Sequence, residues 1–136
     1  MLNVKLYSFS YLKSGIPVDE TPHKGGFVFD CRYIKNPRWE KTLQNLTGKD
    51  KPVIDFLDNT KSMQDFLKNI QGIISDAIDN YISREFTSLM ISFGCSGGQH
   101  RSMYAAEEIH RFLLNKYNGK IQITLAHMEY PELSRK

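Results

Sequence analysis

Cysteine is scarce in this chain: Cys31 and Cys95 are the only two among 136 residues. Two are too few for a disulfide framework or a zinc site, so both are expected to be reduced thiols. Long apolar runs are missing too, and no window nears the roughly 18 consecutive apolar residues of a membrane helix. The opening residues, "MLNVKLYSFSY", alternate in polarity and carry Lys5, unlike a secretory leader, so the expected location is the cytoplasm. Neither sign of charge dominates, since 18 basic and 15 acidic residues leave +3. That balance permits an anionic partner without demanding one, and the clustered Lys and Arg of a strong nucleic-acid footprint are missing. The four histidines, His23, His100, His110 and His127, have no paired spacing, so neither a metal site nor a cofactor is expected. A Walker A loop is also lacking: Gln99-His100 follows Gly98 where Lys-Ser/Thr would be required, which removes P-loop ATP binding.

What is present reads as one domain over residues 1–136, long enough for a proper hydrophobic core. Leu2, Val4 and Leu6 alternate with Asn3 and Lys5, as in a half-buried strand. "KSGIPVDETPHKGG" reads as a loop, and "FVFDCR" as a strand buried on both faces, with Asp30 and Arg32 near its carboxyl end. The connection over residues 33–49 has little periodicity. Its Tyr33 and Trp39 are expected to pin it to the core, with stacking on a base or sugar as the alternative. A short helix should start at Asp50, with Pro52 in its first turn. A long one over about residues 61–84 follows from Met63, Phe66, Leu67, Ile70, Ile73, Ile74, Ala77, Ile78 and Tyr81 at helical spacing. "TSLMISFG" is a buried strand. A further helix carries Met103, Ala106, Ile109, Leu113 and Tyr117 on one stripe and ends at Asn118-Gly119. "IQITLAH" is a final strand, with an edge able to pair with another copy of the chain. The order predicts an α/β domain: a mostly parallel four-stranded, Rossmann-like sheet flanked by helices. Ligands of such sheets sit beyond the carboxyl ends of the strands, where Arg32, Cys95 to Arg101 and His127 all fall.

The chemistry concentrates in "GCSGGQHRS", residues 94 to 102. Its glycines let the backbone turn tightly and approach a ligand closely. The loop runs straight into a helix, whose free N–H groups favour an anion. Arg101 offers a fork to phosphate or carboxylate oxygens, and Ser96, Ser102 and His100 offer further donors. This makes a phosphate cradle. Two other readings stand beside it. The turn can be purely structural, with Cys95 a small buried hydrophobe. Alternatively, Cys95 and Arg101, six apart and followed by Ser102, resemble the Cys-x5-Arg-Ser/Thr signature of the cysteine-dependent phosphatases. In that family a thiolate attacks phosphorus. The resemblance departs at Gly94, where the family has His, and the leaving-group acid is unplaced; Asp30 and Asp19 are the nominees.

A wider resemblance covers nearly the whole chain. "GIPVDE", "FVFDCRYIKNPRW", "LTGKDKPVIDFLD" and "GCSGGQHRSMYAAE" together resemble the C-terminal domain of the RapZ family of RNase adapter proteins. The resemblance implies an α/β domain with a pocket for a phosphorylated amino sugar, glucosamine-6-phosphate, and an RNA-binding role toward small regulatory RNA. The family's N-terminal P-loop module has no counterpart here, so a stand-alone domain is expected, working alone or with a separate nucleotide-binding partner. Residue by residue, Cys95, Ser96, Gly97, Gly98, His100, Arg101 and Ser102 fall on the family's loop. Asp30, Arg32 and Asn36 fall on its strand-end segment; the plain alternatives there are an ion pair and a turn. The chain departs from the family at Gln99, Arg38 and Met128, where Lys, His and Arg are usual. Its tail, "EYPELSRK", sets Glu129 and Glu132 against Arg135 and Lys136. The resulting expectation is a non-catalytic, regulatory module that binds a phosphorylated small molecule, a sugar phosphate or a nucleotide.

Overall fold

A computed structural model describes residues 1–135; Lys136, one of the two tail cations, lies outside the described residues. Four strands form a single sheet: β1 (Asn3–Ser10), β2 (Gly26–Asp30), β3 (Ser88–Cys95) and β4 (Gln122–His127). Their order is β2-β3-β1-β4 and every pairing is parallel. Three helices accompany them: α1 (Lys51–Asp58), α2 (Lys61–Ser83) and α3 (Arg101–Lys116). The expected class, a small α/β domain with a parallel four-stranded sheet, is the one observed.

Register partners in a sheet share a face. Val4, Leu6, Leu89, Ile91, Phe93 and Leu125 therefore line one side, where they join Met63, Ile70, Ile74, Ile78, Ile109 and Leu113 from the helices in one core. All three helices cover this side. The opposite side carries Tyr7, Phe9, Met90 and Ser92 and meets the connection between β1 and β2. Burial raises the Tyr7 phenol, and the charge of Asp19 in that connection adds to the effect. The step from β2 to β3 and the step from β3 to β4 cross the sheet in one direction over the helical side. The return from β1 to β2 runs over the other side, so all three connections share one hand, as parallel crossovers require.

Several elements differ from their sequence reading. β2 is not buried on both faces. It is an edge strand, paired only to β3, and it alternates: Phe27 and Phe29 turn toward the core while Val28 is exposed. A five-residue apolar run looks the same at an edge as in the middle of a sheet. Asp50 stands at the start of α1 as expected, yet its carboxylate turns back to accept from the amide of Thr47 (2.7 Å) and the Thr47 hydroxyl (3.2 Å). The outer edge of β4 is partly covered, because Arg135 forms an antiparallel bridge with Leu125 through two backbone hydrogen bonds (2.8 and 2.7 Å).

The long connection contains two 3-10 turns, Pro37–Trp39 and Lys41–Leu43. Trp39 does not fasten it, being 75% exposed, and Tyr33, 68% exposed, reaches the core only through an edge-on contact with the buried Phe66 (ring centroids 6.0 Å). The buried Ile34 and Leu43 fasten it, together with polar contacts from the start of α3 described below.

Candidate anion-binding site

The loop after β3 is fixed from three sides. Ser10, buried at the end of β1, donates its hydroxyl to the Ser96 carbonyl (2.6 Å) and accepts from the amides of Leu12 and Lys13 (3.1 Å each). Gln99 donates from Nε2 to the carbonyls of Gln44 and Leu46 (2.7 Å each), and its own carbonyl accepts from the amide of Gly48 (2.8 Å). His100 donates from Nε2 to the Leu43 carbonyl (3.0 Å). Burial holds the His100 imidazole below its ordinary pKa, although its carbonyl contacts oppose the shift. Gln99 and His100 thus staple the long connection over the beginning of α3.

Two glycines are sterically required. Gly98 has φ +66°, a left-handed conformation, and a Cβ there would meet Glu129 Cγ at 2.7 Å and the Ser10 amide at 3.0 Å. Gly94 has ordinary backbone, but a Cβ there would come within 2.4 to 2.6 Å of the rings of Phe9 and Tyr11. No histidine fits at that position. The departure from the phosphatase signature is therefore built into the packing of the sheet.

Between this loop and the turn at Pro37–Trp39 lies a narrow cleft of about 50 Å³. On a scale where one water needs about 10–15 Å³ it holds a small tetrahedral anion and little more. Of the residues nominated from sequence, Cys95, Ser96, Gly97, His100, Arg101 and Asn36 line it. Gly98 and Ser102 do not. Gly98 faces Glu129 and β1, and the Ser102 hydroxyl lies 3.1 Å from Cys95 Sγ in the buried interior. Asp30 and Arg32 lie outside the lining as a two-pronged ion pair, with Arg32 Nε 3.0 Å from Oδ1 and Nη2 2.8 Å from Oδ2. The Arg32 side chain, stacked on the Tyr11 ring, holds the Asp30 carboxyl below the usual carboxylate range. The Asn36 carbonyl oxygen caps its own turn by accepting from the Arg38 amide (3.0 Å).

Arg38 and Gln99 also line the cleft. Sequence reading noted both only as departures from a family pattern. Their signal was position, beside Asn36 on one rim and beside His100 on the other.

Arg101 is the central feature. It is 4% exposed. Its Nη1 donates to the carbonyls of Arg32 (2.8 Å) and Ile34 (2.9 Å), while Nε is buried and has no partner among the described residues. A buried guanidinium held only by backbone carbonyls is costly unless an anion completes its shell. The amides of Ser96, Gly97, Gly98, Gln99 and His100 likewise reach no acceptor among the described residues, and no side chain caps the start of α3. Four of these residues, Ser96, Gly97, Gln99 and His100, line one small cleft together with the partly satisfied Arg101.

Cys95 also lines the cleft but is almost fully buried. Cys31, one residue past the end of β2, donates its amide to the Gly94 carbonyl (2.7 Å). Burial pushes the Cys31 thiol well above its ordinary pKa. His127, the third nominated strand end, turns away from the cleft. Its Nδ1 lies 2.6 Å from the Ser8 hydroxyl and its Nε2 2.8 Å from a carboxylate oxygen of Glu107, whose other oxygen accepts from Arg135 Nε (2.9 Å). This buried chain ties β1, β4, α3 and the tail together. The tail acid Glu129 is structural as well: it accepts from the Ser10 amide (2.9 Å) and the Ser14 hydroxyl (2.7 Å).

Among the described residues no group of three or more His, Cys, Asp or Glu side chains is placed to hold a metal ion, and no helix is long and apolar enough to cross a membrane.

The profile of the RapZ C-terminal domain matches residues 2–130. Curated relatives include a nucleotide-binding protein of Thermosipho melanesiensis, 36% identical over 126 residues, which covers 93% of this chain and 42% of that protein. One from Shewanella halifaxensis is 35% identical over 129 residues, covering 95% of this chain and 42% of the relative. One from Marinobacter nauticus is 34% identical over 126 residues, covering 93% and 40%. The chain thus spans about two fifths of the length of these relatives.

Proposed function

Because the chain belongs to the RapZ C-terminal domain family, we propose that it is a non-catalytic binding module for a phosphorylated small molecule, a sugar phosphate such as glucosamine-6-phosphate or a nucleotide. The phosphate occupies the cleft between the Cys95–Arg101 loop and the Asn36–Arg38 turn. The observation that carries this reading is Arg101, a guanidinium side chain only 4% exposed that lines a cleft the size of one phosphate group. Arg101 supplies the main counter-charge, the loop amides and the α3 start supply donors, and Arg38 closes the outer side. The names of the relatives, nucleotide-binding proteins, agree with a ligand of this chemistry. A cytoplasmic setting is part of the proposal and suits two free thiols.

Calorimetric titration with inorganic phosphate, glucosamine-6-phosphate and adenosine monophosphate tests it. Binding of at least one, weakened tenfold or more in Arg101→Lys (by loss of the fork, on the order of 1.4 kcal/mol per tenfold), is the expected result. No heat with any of the three sinks the cleft as an anion site.

The rival activity, phosphate-ester hydrolysis through Cys95, has less behind it. The thiol is buried beside Ser102, Gly94 leaves no room for the usual histidine, and Asp30 is engaged by Arg32. Hydrolysis of an aryl phosphate that disappears in Cys95→Ser would overturn the non-catalytic reading. RNA contact is a second role for the same face, supported by exposed Lys35, Arg38 and Lys41 beside the cleft. A gel shift of structured RNA that is missing even at low salt would remove it.

A further inference from the structure

In a strand, successive carbonyls point to opposite edges. β3 keeps that alternation to its end. The Gly94 carbonyl accepts from the Cys31 amide on the β2 side (2.7 Å), and the Cys95 carbonyl accepts from the Tyr11 amide on the β1 side (3.0 Å). The Ser96 carbonyl comes next, and alternation would return it to the β2 side. Instead it accepts from the hydroxyl of Ser10, the last residue of β1, at 2.6 Å. Two consecutive carbonyls therefore point to the β1 side.

A trans peptide sets its N–H opposite its C=O. The Cys95 carbonyl shares a peptide with the Ser96 amide, and the Ser96 carbonyl shares one with the Gly97 amide. Both amides thus point away from β1, to the side of the chain that leaves β2 and supplies Asn36 and Arg38 to the far wall of the cleft. Ser96 and Gly97 line the cleft, and neither amide meets an acceptor among the described residues. Two consecutive amides on one side form a concavity suited to an anion. The first is fixed by sheet pairing with the Tyr11 backbone. The second depends on one side chain. Without it, alternation would aim the Ser96 carbonyl at the cleft, an acceptor where an anion needs a donor, and the glycine at 97 leaves that peptide free to turn. Ser10 is fully buried, and its hydroxyl is committed: it accepts from the amides of Leu12 and Lys13 (3.1 Å each), which leaves its single proton for Ser96.

We infer that Ser10 is a positioning residue of the anion cleft. Its hydroxyl turns the Ser96–Gly97 peptide so that the Gly97 amide, and not the Ser96 carbonyl, faces the phosphate. The inference rests on the anion-cleft reading and adds to it a residue that touches no ligand, sits on the far side of the loop and decides the sign of one group on the cleft wall.

The full chain, labelled with nitrogen-15, is titrated with inorganic phosphate and followed by calorimetry and by the backbone amide proton shifts. In wild type the amide protons of Ser96 and Gly97 should both move downfield on saturation, as each donates to the anion. Ser10→Ala should lose the Gly97 response and keep the Ser96 response, which pairing with Tyr11 sustains. It should also bind phosphate about tenfold more weakly, the weight of one hydrogen bond to a charged group. A selective loss at Gly97 is a signature that general destabilisation does not produce. Wild-type affinity with an unchanged Gly97 response in Ser10→Ala overturns the positioning role and leaves the cleft standing. Loss of both amide responses in that variant does the same, because it marks a loosened loop and not a turned peptide. A wild-type Gly97 amide that saturating phosphate leaves unmoved also overturns it, and this measurement decides the matter if Ser10→Ala does not fold. Failure of wild type to bind phosphate at all overturns the cleft and the positioning role together.

Discussion

Replacing Gly94 by alanine adds one methyl group where the sheet has no room for it. The backbone there is ordinary, so the effect is purely steric. The new Cβ would sit 2.4 Å from Phe9 Cζ, 2.6 Å from Phe9 Cε2 and 2.6 Å from Tyr11 Cε2, all well inside van der Waals contact. Phe9 is fully buried and already packed edge-to-face on Tyr11, with ring centroids 4.8 Å apart, so its ring cannot swing away freely. Overpacking of this kind costs about 1–3 kcal/mol, and two rings struck at once put the expectation near ~3 kcal/mol. With an unfolding entropy of roughly 2.1 cal/mol/K per residue over 136 residues, that lowers Tm by about 10 °C. Thermal melts followed by circular dichroism measure it. The same reasoning makes a sharper claim about the pair. Phe9→Leu removes the ring atoms that the methyl strikes and alone costs about 1 kcal/mol. The double variant should therefore lose less than the two single losses together, by about 1 kcal/mol or more. A Tm drop below about 2 °C for Gly94→Ala, or strict additivity with Phe9→Leu, would refute the steric account and reopen position 94 to a side chain, histidine included.

Other consequences follow from the same geometry. Arg38→Gln, on the exposed side of the cleft, should weaken phosphate binding by roughly threefold to tenfold with Tm unchanged within about 2 °C, as calorimetry and a melt would report. Gln99→Ala frees two buried-side carbonyls and should speed hydrogen exchange of amides in residues 33–49 while costing about 1–2 kcal/mol in a urea titration; unchanged exchange there would show that the staple is dispensable. Acid should act through Glu107. Burial pushes its carboxyl up, but the His127 hydrogen bond and the charges of Arg135 and Lys49 outweigh burial, so its folded pKa lies below the ordinary value. The stabilisation it gives is then complete above the ordinary carboxylate pKa of about 4.3 and is lost as pH falls through the depressed folded value. Urea titrations below about pH 4.5 should fall more steeply for wild type than for Glu107→Gln, and parallel curves would refute this. Cys95→Ser should leave phosphate affinity within about threefold, since Cys95 is almost fully buried and its sulfur is turned to the Ser102 hydroxyl.

The candidate site was legible at its centre and not at its edges. The Gly-rich strand-to-helix switch with Arg101 behind it is a local pattern, carried by nine consecutive residues, and local patterns survive in a sequence. For Asp30 and Arg32 the sequence left a pocket role and an ion pair both open, and for His127 it gave only the rim, because a strand-end position does not say which way a side chain turns. Asp30 and Arg32 satisfied each other, and His127 found Glu107 and Ser8 in the interior. Ser10 and Glu129 were invisible for the same reason. Each braces the loop from far along the chain, and nothing near either residue announces a partner more than 85 positions away.

The sequence by itself determined the alternation of strands and helices, the parallel sheet, the long amphipathic α2 and the fully apolar β3, since these follow from hydrophobic period and chain connectivity. It also located the Gly-rich strand-to-helix loop and, through four linked motifs, the family. Only the tertiary structure decided that β2 is an edge and that position 94 must be glycine. Only it showed that the Arg101 guanidinium is buried with a donor left over, and that Trp39 faces solvent instead of the core. Those outcomes depend on which surfaces meet. A buried charge or an exposed indole has meaning only once the neighbours that could have satisfied or covered it are known.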